Sequence, residues 1–261
     1  MLLVFASLTV PASNFPQNAE EIIKRSVEAG NRDFAIEPQF DCTEENRNAQ
    51  GAKTYEDLMI DGSVYQRLVA ANGKSLSESQ QAKEAQKLQA ETEKRKRENS
   101  EQRKQRIAKY QADRKRDHAL LGEMVRAFEF RLIGREQMEG HQVYVLEANP
   151  RPDYHAPSTE AQALTGMNGK LWIDTETFQW VKVEASVTRP VSIKGFLARV
   201  EPGTRFELHK TPVAPGVWLA KTFSMNSQAK VLMLFQRRKW EESTFSNYHP
   251  ARAAPPQSGA P

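Results

Sequence analysis

The sequence predicts an α+β fold in which a large, curled antiparallel sheet forms a half-open β-barrel, covered by helices and interrupted by a long helical hairpin. Two observations carry this prediction. Beyond residue 128 the chain consists of short alternating apolar and polar segments separated by turn residues, which is typical of consecutive β-hairpins. Residues 80–128 contain no Pro and a single Gly, and consist largely of the helix formers Glu, Lys, Gln, Arg and Ala. A sheet of so many strands must curl.

The chain is long enough to bury a core, because it has 261 residues with a globular balance of hydrophobic (39%) and charged (27%) residues. Its net charge of +4 is unevenly spread. Residues 83–118 hold 13 Lys and Arg against 7 Asp and Glu, so this segment alone carries +6 and the remainder is slightly acidic. Cys42 is the single cysteine, which excludes an internal disulfide and a cysteine-based zinc site.

The first residues predict export. An apolar run at 2–10 is followed by Val10 and Ala12 at the spacing of a cleavage site, so we predict a signal peptide over 1–13, although it lacks a basic n-region. No other stretch is long and apolar enough for a membrane helix, which predicts a mature chain without a transmembrane segment. After the predicted signal peptide, Asn18 and Glu21 form a capping-box pattern that predicts a short helix ending at Gly30, followed by a strand over 34–47.

Asp61-Gly62 lies between two alternating segments, 53–60 and 64–70, and predicts a β-hairpin. A second capping pattern at Ser75 and Glu78 then opens the helical insert, predicted over 77–128 and broken near Asn99-Ser100. The insert has few apolar residues before Leu121, so we expect it to project into solvent.

The remaining chain predicts further hairpins, with turns at residues 138–140 and at Pro215-Gly216 and a long loop over 151–166. We therefore predict one domain over 14–249, interrupted by the helical insert. The Pro- and Ala-rich tail at 250–261 is predicted to be disordered.

No catalytic constellation is recognisable. Gly73-Lys74-Ser75 lacks the first glycine of a phosphate-binding loop, the nucleophile-elbow and dinucleotide motifs are absent, and the five His have no metal-binding spacing. We predict no enzyme activity, no cofactor and no metal.

The basic insert admits two interpretations. It could bind an acidic protein or an anionic membrane surface, or it could be a solvated helical hairpin. Interleaved Glu residues and the lack of aromatic residues other than Tyr110 argue against nucleic acid. The candidate contacts for an anionic partner are Lys94, Arg95, Lys96, Arg97, Arg103, Lys104, Arg106, Arg114, Lys115 and Arg116.

The strands are rich in large apolar side chains, which could form an ordinary core or the wall of a ligand cavity. Lys182 and Glu184 alternate with apolar neighbours, so we expect those neighbours to point inward. The candidate cavity residues are Val181, Val183, Ala185, Val187, Trp172, Trp218, Phe206, Phe223, Met225, Met233 and Phe235.

Three segments, 140–150, 169–174 and 178–184, resemble the core hairpins of the LolA/LolB/RseB-type superfamily of exported bacterial proteins. The resemblance spans roughly residues 19–248, apart from the helical insert. This insert is far longer than we expect for a lipoprotein carrier. It implies a half-open barrel with helices over its concave face, and a role in carrying lipoprotein acyl chains or sensing a lipidic signal.

We therefore expect a non-enzymatic periplasmic protein that binds a lipid or a lipoprotein acyl chain in a hydrophobic cavity. The alternative is a regulatory or interaction module whose basic helical hairpin binds an acidic partner or an anionic membrane surface.

Overall fold

The computed structural model describes residues 18–193, 198–231 and 235–251. The predicted signal peptide at 1–13, Met233, and the predicted tail from residue 252 onward lie outside the described residues. The last strand continues through Pro250, and the Ala251 N–H donates to the Gln39 carbonyl at 2.7 Å. The prediction that residues 250 and 251 belong to a disordered tail is therefore wrong.

The three long helices each begin at a side-chain cap. Asn18 accepts from the Glu21 N–H at 2.7 Å, as predicted, and Asn99 at the predicted break forms a capping box with Gln102. The predicted cap at Ser75 and Glu78 is wrong, because Ser75 is still in a strand and the capping box forms between Ser77 and Gln80. No helix of the described residues is long and apolar enough to cross a membrane. The helices are α1 (Ala19–Ile36), α2 (Glu78–Arg97), α3 (Ser100–Ala127) and the short α4 (Thr159–Gln162).

The predicted end of α1 at Gly30 is wrong, because the helix continues to Ile36 and the first strand begins only at Phe40. Asp33 is buried and accepts hydrogen bonds from Lys210 Nζ (2.5 Å), Gln179 Nε2 (3.1 Å) and the Trp218 N–H (3.1 Å). These bonds anchor the last turns of α1 to the sheet. They offset the cost of about 1 kcal/mol for a helical glycine.

A single antiparallel sheet contains the 13 strands of the described residues, in the order β4-β3-β2-β1-β13-β12-β11-β8-β7-β6-β5, while β10 pairs with the far end of β12 and with β9. Consecutive hairpins therefore supply most of the neighbours, as predicted, and the first strand pairs with the last. The sheet is curled and unclosed, which confirms the predicted fold class. The strands are β1 (Phe40–Asn48), β2 (Gly51–Ile60), β3 (Ser63–Ala71), β4 (Lys74–Ser75), β5 (Phe128–Met138), β6 (His141–Pro150), β7 (Met167–Asp174), β8 (Trp180–Val187), β9 (Val191–Ile193), β10 (Ala198–Val200), β11 (Arg205–Ala214), β12 (Val217–Val231) and β13 (Phe235–Pro250).

The main core lies between α1, the end of α3 and one face of β5–β8, which we call the covered face. Ile22 and Ile23 of α1 pack there against Tyr144, Leu146 and Leu171. A smaller cluster of Val143, Val145, Trp172, Val181 and Trp218 forms on the opposite side. Strand alternation therefore divides the apolar side chains between two faces.

The helical insert does not project into solvent, which corrects our expectation. Its two helices enclose the tip of the β2–β3 hairpin. Arg95 of α2 is buried and donates to the carbonyls of Ile60 (2.7 Å), Ser63 (2.8 Å) and Val64 (3.3 Å). Arg106 of α3 donates to the Asp61 carbonyl and to Ser63 Oγ, and it forms an ion pair with Glu98 at 2.7 Å. We call this arrangement the helical clamp.

Alternation along β2 and β3 shows how the clamp is placed. Leu58 and Arg67 face α2, where they line one groove with Leu88 and Thr92. Met59 and Val64 face α3, and the Tyr110 hydroxyl lies 3.6 Å from Met59 Sδ. Since neighbouring residues of a strand point to opposite faces, α2 and α3 cover opposite faces of the β2–β3 hairpin.

Candidate functional site

An apolar cavity lies beneath α3, between that helix, the end of α1 and strands β1, β2, β12 and β13. Its volume is about 420 Å³, within the range common for small-molecule sites. We call it the helix-covered cavity. Its walls are mostly aromatic and aliphatic, and its lining residues include Phe34, Phe40, Cys42, Asp57, Met59, Val64, Tyr110, Ala220, Phe245 and Tyr248.

Two titratable groups face each other across the strand pair at the floor of this cavity. Cys42 and Asp57 are directly opposite in the β1–β2 register. Burial, reinforced by Asp57 and Glu44, raises the pKa of the Cys42 thiol to about 12, so the thiol is neutral. Burial also raises the pKa of Asp57 to about 6, although the Gln66 amide donates to its carboxylate at 3.0 Å and opposes the rise. The floor therefore becomes less charged in mildly acidic solution.

A group of stacked side chains from α1 and α3 forms the side wall. The rings of Phe34 and His118 stack with centroids 4.1 Å apart, and the Arg114 guanidinium lies 4.1 Å from the Phe34 centroid. Arg114 also forms an ion pair with Glu37 at 2.8 Å, and His118 Nε2 lies 2.9 Å from Asn31 Oδ1. Burial lowers the pKa of His118. These contacts join the middle of α3 to α1 through partly exposed polar groups, whereas the end of α3 is held by the main core.

A smaller cavity of about 160 Å³ adjoins the first one and shares Phe34, Glu37, His118 and Ala220 with it. Val27, Trp180 and Leu208 line its apolar part. The buried Trp180 Nε1 has no hydrogen-bond partner in the described part of the chain. A buried donor of this kind is normally satisfied, so a water or a ligand oxygen would stabilise it.

The structure separates the predicted cavity residues. Val183, Ala185, Val187 and Phe206 pack into or against the main core, while a bulge between Trp172 and Ile173 places Val181 in the smaller cluster with Trp172 and Trp218. The expectation that Val181 points the same way as its alternate neighbours is therefore wrong. Phe223 lies opposite Leu208 and Ser243, Met225 lies opposite Phe206, and Phe235 begins β13 opposite Val231.

Of the predicted cavity residues, Trp218 lines the smaller helix-adjacent cavity. Sequence reasoning missed most of the wall, including Phe34, Phe245 and Tyr248. Tyr110 was the one available signal, because a single aromatic residue in a strongly polar helix indicates a point of contact. Phe34 could not be found because the helix was expected to end before it.

The predicted basic contacts divide into structural and exposed residues. Arg95, Arg106 and Arg114 are bound within the fold and are not free to meet a partner, which corrects their assignment. Arg103 is partly exposed and lies 3.5 Å from Asp61. The exposed cations are Lys94, Lys96, Arg97, Lys104, Lys115 and Arg116.

No group of three or more His, Cys, Asp or Glu with metal-binding geometry occurs within residues 18–193, 198–231 and 235–251.

No family model and no curated protein matches the chain. Solved structures similar to it include an outer membrane lipoprotein-sorting protein domain from Vibrio parahaemolyticus (13% identity, TM-score 0.34, 94% of this chain and 95% of that one). A LolA superfamily protein from Nitrosomonas europaea has 13% identity and a TM-score of 0.35, over 92% and 96%. MucB of Pseudomonas aeruginosa in its complex with MucA has 13% identity and a TM-score of 0.26, over 88% and 100%.

The similar structures include LolA-superfamily proteins. Likeness at this level says nothing about a ligand or partner of this chain.

Proposed function

We propose that the protein is a non-enzymatic, exported binding protein that holds an acyl chain of a lipid or lipoprotein in the helix-covered cavity. One observation carries the proposal: a cavity of about 420 Å³ with mostly apolar and aromatic walls lies directly under the helix α3. Apolar burial stabilises such a ligand by about 0.8 kcal/mol for each methylene group.

The contacts of α3 indicate how a chain would enter. The first half of α3 is fixed to the β2–β3 tip through Arg106, whereas its middle meets α1 through the Arg114–Glu37 ion pair and the His118–Phe34 stack. Partly exposed ion pairs contribute little, typically under about 1 kcal/mol. We therefore infer that the cavity opens by separation of the middle of α3 from α1, while the helical clamp and the core at the end of α3 stay in place.

A co-purification experiment tests the occupant directly. Native mass spectrometry of protein prepared from membrane-containing lysate should show adducts of lipid mass, and a fluorescent fatty-acid probe should bind saturably after delipidation. A consistently ligand-free spectrum together with no probe binding would falsify the proposal.

A pair of variants ties binding to this cavity. Ala220 lines both adjoining cavities, so Ala220→Phe should fill them and weaken probe binding at least tenfold. Ile133→Phe is the matched control, since Ile133 is exposed on the edge strand β5. Both variants must keep the native circular dichroism spectrum, because overpacking costs about 1–3 kcal/mol. Equal binding by folded Ala220→Phe would place the probe elsewhere.

A second candidate function rests on the exposed cations of the helical clamp. We propose that Lys94, Lys96, Arg97 and Lys104 contact an acidic protein or an anionic membrane surface, because they stay exposed while Arg95 and Arg106 hold the clamp together. Replacing the four exposed residues by Gln should abolish salt-sensitive binding to vesicles containing phosphatidylglycerol. Unchanged binding, or no binding by the wild type, would exclude the membrane form of this idea.

A further inference from the structure

The opposite face of the sheet carries a second, larger groove that the proposed function does not use. It has a volume of about 820 Å³ and crosses β6, β7, β8, β11, β12 and β13. No helix of the described residues lines it. Its side chains differ in kind from those of the helix-covered cavity, because they are mainly amides, hydroxyls and charged groups.

Strand register places five of these side chains in one row. Across the strands the row consists of Asn168, Ser186, Arg205, Asn226 and Trp240, each directly opposite the next. Neighbouring strands are about 4.8 Å apart, so the row is roughly 19 Å long. An adjacent row contains Glu147, Lys170, Glu184, Glu207, Ser224 and Glu242.

Trp240 at the end of the first row is 46% exposed, whereas Trp172 and Trp218 are buried. An indole offers a large flat apolar surface, and leaving it in water forgoes the stabilisation that its burial would bring. Its ring therefore provides an exposed stacking platform beside a line of hydrogen-bonding groups.

The groove is nearly balanced in charge, because most of its carboxylates have a cation beside them. Arg131 contacts Glu147 at 2.5 Å, and Lys182 contacts Glu184 at 2.6 Å and Glu207 at 3.0 Å. A polycation would have to displace these partners, and a polyanion would meet the carboxylates. The oxygen atoms nevertheless keep lone pairs that can accept further hydrogen bonds.

We propose that this groove binds a neutral oligosaccharide, with one sugar ring stacked on Trp240 and its hydroxyls bonded to the Asn, Ser, Arg and Glu side chains of the two rows. An uncharged chain of sugar rings presents apolar ring faces and many hydroxyl donors and acceptors, which matches this set. An extended peptide fits less well, because peptides that pair with sheets do so at an edge, through the backbone. The groove crosses the strands and offers side chains.

Calorimetric titration of the full chain with maltotetraose and chitotetraose tests the proposal. We expect saturable binding of at least one of them with a Kd at or below about 1 mM, typical of a weak ligand. Trp240→Ala should weaken it at least tenfold. Arg237→Ala is the control, since Arg237 is exposed on the same strand three residues away and points to the other face. It should leave the Kd unchanged.

Three results would overturn the proposal: no binding of either sugar at about 10 mM, equal weakening by both variants, or tighter binding of spermine than of the sugars. Unfolding midpoints in urea of both variants should equal that of the wild type, because both side chains are exposed. The site is independent of the helix-covered cavity, so Ala220→Phe should retain sugar binding whether or not it binds a fatty acid.

Discussion

Asp57 on the floor of the helix-covered cavity should make stability depend on pH in an unusual direction. Its pKa is raised from 3.8 to about 6, chiefly by burial. The folded state therefore binds a proton more tightly than the unfolded state. Stability from this group is present below about pH 4 and is lost as the pH rises through about 6. Most native carboxylates act in the opposite direction.

The expected magnitude follows from the shift. A rise of the pKa from 3.8 to about 6 corresponds to roughly 3 kcal/mol, and because the carboxyl is only partly buried, solvent screening reduces this to about 1–2 kcal/mol. In Asp57→Asn the amide oxygen can still accept from Gln66 without a buried charge. The variant should therefore be more stable than wild type by about 1–2 kcal/mol at pH 7.5, and equal to it within about 0.5 kcal/mol at pH 4.

Urea unfolding followed by circular dichroism at the two pH values measures this difference. Glu129→Gln serves as the control, because it removes an exposed carboxylate from β5. The reasoning is refuted if Asp57→Asn is less stable than wild type at pH 7.5, or if the difference is the same at both pH values. For ligand binding, the fatty-acid probe should bind wild type more tightly at pH 5 than at pH 7.5, and this dependence should flatten in Asp57→Asn.

Three further predictions concern single side chains. Arg95→Met should destabilise the fold by about 2–4 kcal/mol in urea unfolding, because three backbone carbonyls lose a charged donor, and it should make α2 accessible to trypsin. Lys94→Met changes an exposed neighbour and should do neither; equal effects of the two variants would contradict the clamp. Asp33→Asn should cost about 3 kcal/mol, because the mostly buried Lys210 loses its charge partner. Adding Lys210→Met should restore part of that loss in thermal unfolding, and a double variant no more stable than Asp33→Asn would be evidence against the pair. Because its pKa is about 12, Cys42 should react with iodoacetamide at pH 8 far more slowly in native than in urea-unfolded protein, and equal rates would disprove its burial.

Local signals in the sequence were sufficient to predict most of the elements. Asp61-Gly62 forms the predicted hairpin turn, and the break at Asn99 divides the predicted helical hairpin, because turns and caps depend on nearby residues. The continuation of α1 past Gly30 was not predictable, since the groups that hold Asp33 lie 146, 177 and 185 residues further along the chain.

The site was harder to predict than the fold. One bulge in β7 and β8 reverses the facing of Val181, and a bulge has no clear sequence signature in an apolar strand. Arg95 looked like an exposed cation because its partners are backbone carbonyls, which every residue possesses. The wall of the helix-covered cavity combines residues from α1, α3, β1, β2 and β13, so it exists only once the sheet is complete.

The pairing of the first strand with the last has a consequence for the order of folding. The helical clamp joins residues 31 to 45 positions apart, as in the bonds of Arg95 and Arg106. The contacts between β1 and β13 join residues about 200 positions apart. Contacts of short sequence separation form faster, so we expect the clamp to form while β1 is still an open edge. The last strand then closes that edge and completes the floor of the cavity, which makes a binding-competent cavity a late product of folding.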